Sequence, residues 1–201
     1  MTAGPVSIAV AMSDEKKVER EDRDLIQRMA SRDATALDAF YDRYNRLAFS
    51  LVLRIAGNPA DAEEVLADTF WQVWQQSDKY DSSRGKPVAW LLTIARTRAI
   101  DRIRSSNRLQ VKNEEFLLEP QNRPATAAIR PERYVAAEIR TAVQEALATL
   151  SEQQRAPLEM AYFQGMSHTE IAAALGQPLG TVKDRIRTGM GHLRKRLKAY
   201  L

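Results

Sequence analysis

Phe163-Gln-Gly-Met-Ser-His-Thr-Glu-Ile-Ala-Ala-Ala-Leu-Gly-Gln-Pro-Leu-Gly-Thr-Val-Lys-Asp-Arg-Ile-Arg187 is the stretch that decides how this chain is read. Gly165 stops one helix. Ser167 and Glu170 stand three residues apart, the spacing of a capping box, and start a short helix. Ile171, Ala172 and Leu175 give that helix an apolar face, with small Ala172 where two helices cross closely. Gly176 ends it, Gln177 to Gly180 make a turn, and Thr181 is placed to cap a longer helix. Val182, Ile186, Met190, Leu193 and Leu197 are expected to face inward from it. The pattern is that of a helix-turn-helix from about Ser167 to Arg196. Its candidate DNA contacts are Thr181, Lys183, Asp184, Arg185, Arg187 and Thr188, because basic and hydrogen-bonding side chains near a helix N-terminus suit the major groove. Lys195, Arg196 and Lys198 lie further along, where phosphates are the natural partners. A plain helical hairpin with a solvated basic face is the competing account.

The charge distribution points the same way. The 201 residues carry a net charge of only +4. From Gly176 to Leu201, however, seven basic residues face one acid, and from Arg84 to Arg108 seven again face one. The rest of the chain is net acidic. Two basic patches suggest two contacts with a polyanion. Cysteine is absent, which excludes disulfides, thiolate metal sites and thiol switches within the chain. No apolar run approaches the ~18 residues of a membrane span. The cytoplasm is the expected compartment.

Working outward, the chain reads as all-α, with two small helical domains. Residues 1–20 lack an apolar period and are expected to be a disordered tail. Residues 21–104 form the first domain. Leu25, Ile26 and Met29 mark a short helix. Leu37, Phe40, Tyr41, Tyr44, Leu47, Ala48, Leu51, Val52 and Ile55 step by three and four, and Gly57 closes that helix. Asn58-Pro59 opens the next, whose stripe is Ala62, Val65, Leu66, Thr69, Phe70, Val73 and Trp74. A polar loop spans Ser77 to Lys86. Pro87 opens a helix to about Arg104, with Val88, Leu91, Leu92, Ala95, Ala99 and Ile103 inward. Trp90, Ile94, Thr97, Arg98 and Arg104 lie mainly opposite. Residues 105–133 read as a linker of roughly 25–30 residues, long enough to separate domains. Residues 134–201 form the second domain. Val135, Ile139, Val143, Ala146, Leu147 and Leu150 share one helix face, Ser151 to Gln154 is a capping box, and Pro157 sits inside the helix that follows.

With these motifs in this order, the chain resembles the extracytoplasmic-function sigma factors, promoter-specificity subunits of bacterial RNA polymerase. The resemblance covers about Asp22–Leu201. Asn58 to Trp74 is similar to the family's polymerase-binding helix, Tyr80 to Arg104 to its promoter-melting region, and Leu158 to Leu197 to its helix-turn-helix for the upstream element. The resemblance implies that Asp61, Glu64, Ala67, Asp68 and Trp71 dock on the clamp helices of the polymerase's largest subunit. It implies double-stranded DNA at the −35 element and single-stranded DNA at −10. Lys79, Tyr80, Asp81, Ser82, Ser83, Arg84 and Lys86, with Trp90 and Arg98, would meet the opened strand. A base flipped into that loop must be repaid for its lost stacking with hydrogen bonds and ring contacts. The family's linker threads toward the polymerase active centre, which would place Glu114, Glu115 and Glu119 there. An anti-sigma factor is implied as a further partner.

Several alternatives stay open on the residues alone. Trp90 is a core residue or a stacking platform. Glu63, Glu64 and Asp68 solvate a surface helix or meet a partner. A repressor or activator with a helical effector domain also explains the helix-turn-helix. A pure interaction scaffold leaves both basic patches without a purpose. For an enzyme, there is no Ser/His/Asp set, phosphate-cradling glycine loop or spaced carboxylate pair. No cofactor is expected, and His168 and His192 lack neighbours with which to bind a metal.

Overall fold

A computed structural model describes residues 5–113 and 143–197, with side chains described over 16–106 and 143–197. Every regular element among the described residues is helical. The chain divides into two compact units, Met1–Ala127 and Ala128–Leu201.

The first unit begins with α1 (Pro5–Ala30). Residues 5–20, expected within a disordered tail, are helical here. Proline suits a first helical turn, and no glycine or proline interrupts the sequence from Val6 to Ala30. Leu25, Ile26 and Met29 are buried and anchor the end of α1, so polar residues ahead of them propagate an existing helix. Arg32 takes a left-handed backbone (φ 65°), and its guanidinium both donates to the Trp74 carbonyl at 3.2 Å and lies over the Trp74 ring. Asp33 then caps α2 (Ala34–Ala56) by accepting from the Thr35 amide.

Helix α2 buries Ala36, Phe40, Tyr44, Ala48, Val52 and Ile55, a stripe at steps of three and four. Gly57 (φ 78°) ends it in the left-handed conformation. Asn58 caps α3 (Pro59–Gln75) through the Asp61 amide at 2.8 Å. A 3₁₀ turn (Ser77–Lys79) and an exposed loop lead to α4 (Pro87–Asn113). Phe40 sits at the centre, edge-on to Tyr44 at 4.9 Å and to Phe70 at 6.5 Å.

Two expectations for α4 change. The helix continues to Asn113, past the anticipated end near Arg104, because no glycine or proline intervenes before Pro120. Ile94 is buried in the core. A helix packed by α1, α2 and α3 is covered on more than one side, so its apolar face is wider than a single stripe. The proposed linker from Glu114, including Glu115 and Glu119, lies outside the described residues, as do Val135 and Ile139.

Between α1 and α2 runs a buried polar contact. Asp22 is 2% exposed and accepts from the Tyr44 hydroxyl and from Arg43. Burial pushes the Asp22 carboxyl above its ordinary range, against the pull of those two donors. Burial also raises the Tyr44 phenol, and its bond to Asp22 adds to the shift.

The described part of the second unit begins with helical residues 143–148 (α5), from which Ala146 is buried, as is Leu150 beyond the helix. The Ser151–Gln154 capping box starts α6 (Glu152–Phe163), which contains buried Pro157. Ser167 and Glu170 form the second capping box and start α7 (His168–Leu175), closed by Gly176 at φ 60°. Helix α8 (Leu179–Arg196) begins three residues before the expected start, after Pro178 and without a side-chain cap, so Thr181 is not its cap. Gly189 takes an inward position on α8, with Met190 turned outward and 47% exposed. The missing side chain lets α6 approach: a Cβ on Gly189 would stand 3.4 Å from Leu158 and 3.6 Å from Gln154.

Two stability changes follow. Asp22→Ala removes the acceptor of two buried or half-buried donors and should lower the stability of the first unit by about 2–3 kcal/mol in denaturant unfolding. Gly189→Ala places its methyl at ordinary contact distance and should stabilise the second unit by about 0.5–1 kcal/mol, while Gly189→Leu should push α6 away and destabilise it.

Candidate polymerase and promoter interfaces

Three groups of side chains were expected to meet partners. On α3, Glu64, Ala67, Asp68 and Trp71 recur at three- and four-residue steps and are all exposed. Trp71, 59% exposed, is the most exposed large apolar side chain among the described residues. The inward stripe of the same helix is buried against α2 and α4, so its orientation is firmly set. Asp61 is different. It is half-buried, accepts from the Asn58 side chain and binds Arg102 of α4 at 2.8 and 2.9 Å.

The acids of α3 meet the arginines of α4. Arg102 also reaches Glu64 at 2.9 and 2.8 Å, bridging two carboxylates with one guanidinium. The Asp61 hydrogen bond, with both carboxylates adding, raises the already high Arg102 pKa. Arg98 donates to Gln72 at 2.6 Å and to Asp68 at 2.9 Å. Arg98 was assigned to the strand-binding face; the structure instead brings it to a side chain assigned to the polymerase face. Arg102 was in neither set. Its spacing, four residues after Arg98, was the available signal.

The loop after α3 is built on Ser77, buried and hydrogen-bonded to the Trp74 carbonyl at 3.0 Å. Beyond it Lys79, Asp81, Ser82, Ser83 and Arg84 are exposed. The Asp81 carboxylate accepts from the Ser83 amide at 2.9 Å, and hydrogen bonds from Ser83 hold it below the usual carboxylate range. Tyr80 is half-buried. Its hydroxyl donates to the Gly85 carbonyl at 2.8 Å, and its ring lies 5.3 Å from Trp90. Burial pushes the Tyr80 phenol up, opposed by Arg23 of α1. Trp90 packs partly on the core and partly on Tyr80, and stays half-buried. Lys86 is half-buried at the loop's end.

On α8, Lys183, Asp184 and Arg187 are exposed, and Thr181 and Thr188 half-buried. Arg187 pairs with Asp184 at 2.6 Å. Arg185 turns inward. It binds the side chain of Gln177 in the turn and that of Gln153 on α6, the latter at 2.9 Å. It braces the helix-turn-helix, and Val182, Ile186 and Gly189 seat the same helix on the unit. Met190 joins the outward row Lys183, Arg187, Arg194. The sequence reading missed it by giving its inward place to a large side chain and overlooking Gly189. Among the described residues, no three His, Cys, Asp or Glu side chains are grouped as metal ligands, and no helix is long and apolar enough to cross a membrane.

Residues 40–109 match the family model for sigma-70 region 2, and residues 140–193 that for sigma-70 region 4. The chain is 32% identical over 176 residues to the ECF RNA polymerase sigma factor SigK of Mycobacterium sp. (strain JLS), covering 85% of this chain and 87% of that protein. It is 33% identical to SigK of Mycolicibacterium vanbaalenii, with 85% and 86% covered. Among solved structures, it is similar to Rhodobacter sphaeroides SigE in complex with the anti-sigma ChrR, at 28% identity and a TM-score of 0.44, covering 88% of this chain and 98% of that one.

Arg185 and Arg187 of α8 should separate in a stability measurement. Arg185→Ala loses two hydrogen bonds to half-buried or neighbouring groups and should lower the stability of the second unit by about 1–2 kcal/mol. Arg187→Ala loses only an exposed pair and should stay within about 0.5 kcal/mol of the wild type.

Proposed function

The chain belongs to the extracytoplasmic-function family of RNA polymerase sigma factors, and on that premise we propose that three of its surfaces divide the work of promoter-specific transcription initiation. It is not an enzyme: the chemistry is the polymerase's, and this chain supplies the address. The exposed face of α3, with Glu64, Ala67, Asp68 and Trp71, docks on the clamp helices of the polymerase's largest subunit. The Asp81–Arg84 loop with Lys79, Tyr80, Lys86 and Trp90 receives the opened strand of the −10 element. The outward face of α8, with Lys183, Asp184 and Arg187, reads the double-stranded −35 element.

The observation that carries this reading is the first unit's polarity. One exposed face is acidic and aromatic, while the adjoining loop is polar, basic and flanked by a ring pair. An acidic face with an exposed tryptophan suits a basic protein partner. A basic loop beside a pair of aromatic rings suits single-stranded nucleic acid. A stand-alone repressor or activator, the competing reading from the residues, needs no region 2. Asp61 and Arg185 are reassigned: the first holds Arg102 and the second braces the helix-turn-helix. An anti-sigma factor covering the polymerase and promoter faces is the expected regulator. Since the chain has no cysteine, a redox signal would be sensed by that partner.

Run-off transcription with core polymerase on fragments of the source genome should yield transcripts that depend on this protein. Absence of any such transcript, with no binding to core enzyme, would overturn the proposal. Lys183→Ala combined with Arg187→Ala should cut transcription at least about tenfold, the loss of one good base contact being ~1–3 kcal/mol, with core binding unchanged. Equal loss of core binding would misplace the DNA face.

A further inference from the structure

Trp90, Ile94, Arg98 and Arg102 recur every four residues along one ridge of α4, on which Ile94 is buried in the core and the other three are half-buried. The ridge starts at the ring pair with Tyr80 and runs about 18 Å, at 1.5 Å per residue. Its two arginines point at α3, where they meet the acids assigned to polymerase docking. We propose that Arg98 and Arg102 form a phosphate-binding pair for the opened promoter strand, held in reserve by Asp68 and Glu64 until the polymerase takes those carboxylates. The inference rests on the preceding assignment of the α3 and α4 faces.

The geometry supports an exchange. Among the described residues Arg98 has a single carboxylate partner, Asp68, at 2.9 Å. Arg102 has two, Asp61 and Glu64, each at 2.8 Å. The side chains of Asp68 and Glu64 are 55% and 57% exposed, so a basic partner reaches them from solvent. Asp61 is only 26% exposed and is also held by Asn58, so it stays. Ion pairs at such exposed positions are weak and are readily traded for others. A guanidinium does not lose its proton, so when its carboxylate is taken the charge is left to solvent and is available to another anion. The nearest polyanion under this reading is the strand received at Tyr80 and Trp90.

In the isolated chain the ridge is therefore neutralised by its own acids, and a strand gains little from it. Docking removes the neutralising charges and adds phosphate contacts in the same step. Arg98 should be released more completely than Arg102, which keeps Asp61. The two faces are then coupled through side chains rather than through movement of the helices.

The test is binding of a fluorescein-labelled oligonucleotide, the non-template strand of a promoter mapped by run-off transcription. It is followed by anisotropy with the full-length protein and with holoenzyme. For the isolated protein, Asp68→Asn should tighten binding about threefold, within the modest range of exposed ion pairs. Glu64→Gln should do so by less. The salt slope should steepen by about 0.7 for each phosphate newly neutralised. Both gains should vanish in the Arg98→Gln, Arg102→Gln background. Glu63→Gln, which removes an exposed acid elsewhere on α3, should leave affinity nearly unchanged. An equal gain from Glu63→Gln would make the effect one of net charge and overturn the inference. So would unchanged affinity in Asp68→Asn, Glu64→Gln. Holoenzyme tells the two levels apart. If Arg98→Gln, Arg102→Gln weakens strand binding by holoenzyme but the acid variants do nothing to the isolated chain, only the reserve fails. If that holoenzyme binds the strand like the wild type, the strand does not follow α4, and the assignment fails with it.

Discussion

Helix α2 is packed by α1, α3 and α4 together, and its inward stripe makes this possible. Ala36, Phe40, Ala48 and Val52 are wholly buried, with Tyr44 nearly so. Small residues above and below the Phe40–Tyr44 pair let neighbouring helices come close, and the two rings fill the space between. Everything functional in the first unit inherits its place from this stripe. Because α3 and α4 both lie against α2, they also lie against each other. The outer edge of that contact is where Asp61, Glu64 and Asp68 meet Arg98 and Arg102. The Asp22–Tyr44 bond ties α1 to the same helix, which sets α1 behind the turn that carries Tyr80.

The second unit relies more on local chemistry. Two capping boxes and a left-handed glycine delimit α6 and α7 with no help from distant residues. What they do not supply is the crossing of α8 over α6. That depends on the absence of a side chain at Gly189 and on Arg185 reaching both the turn and α6. Once α8 is seated, Lys183 and Arg187 have no inward option and stay exposed.

Arginine shows the same ambiguity in both units. Arg98 and Arg185 stood among the DNA contacts, since a basic residue on a helix of the right kind is a fair candidate. The structure gives Arg98 to Asp68 and Gln72, and Arg185 to two glutamines. A long side chain with five donors reaches partners on neighbouring helices, and helical spacing does not say which neighbours those are. Arg102 was overlooked for the same reason. Its importance lies in the two carboxylates it bridges, which are about forty positions away in the chain.

The sequence by itself determined the helical class, the boundaries set by Asn58-Pro59, Gly57, Gly176 and the two capping boxes, and the family. Each of these depends on residues within a few positions of one another, or on motifs in a fixed order, so a linear reading is enough. Spacing also determined which acids of α3 face outward, because its apolar stripe leaves them no other side. The tertiary structure decided the rest. It extended α1 and α4 beyond their apolar periods, since a packed helix end carries polar residues along with it. It put Ile94 in the core, because three helices cover α4, and it put Gly189 where a large side chain was expected. It also decided which basic residues bind the protein's own acids and amides, because that outcome rests on distances between helices.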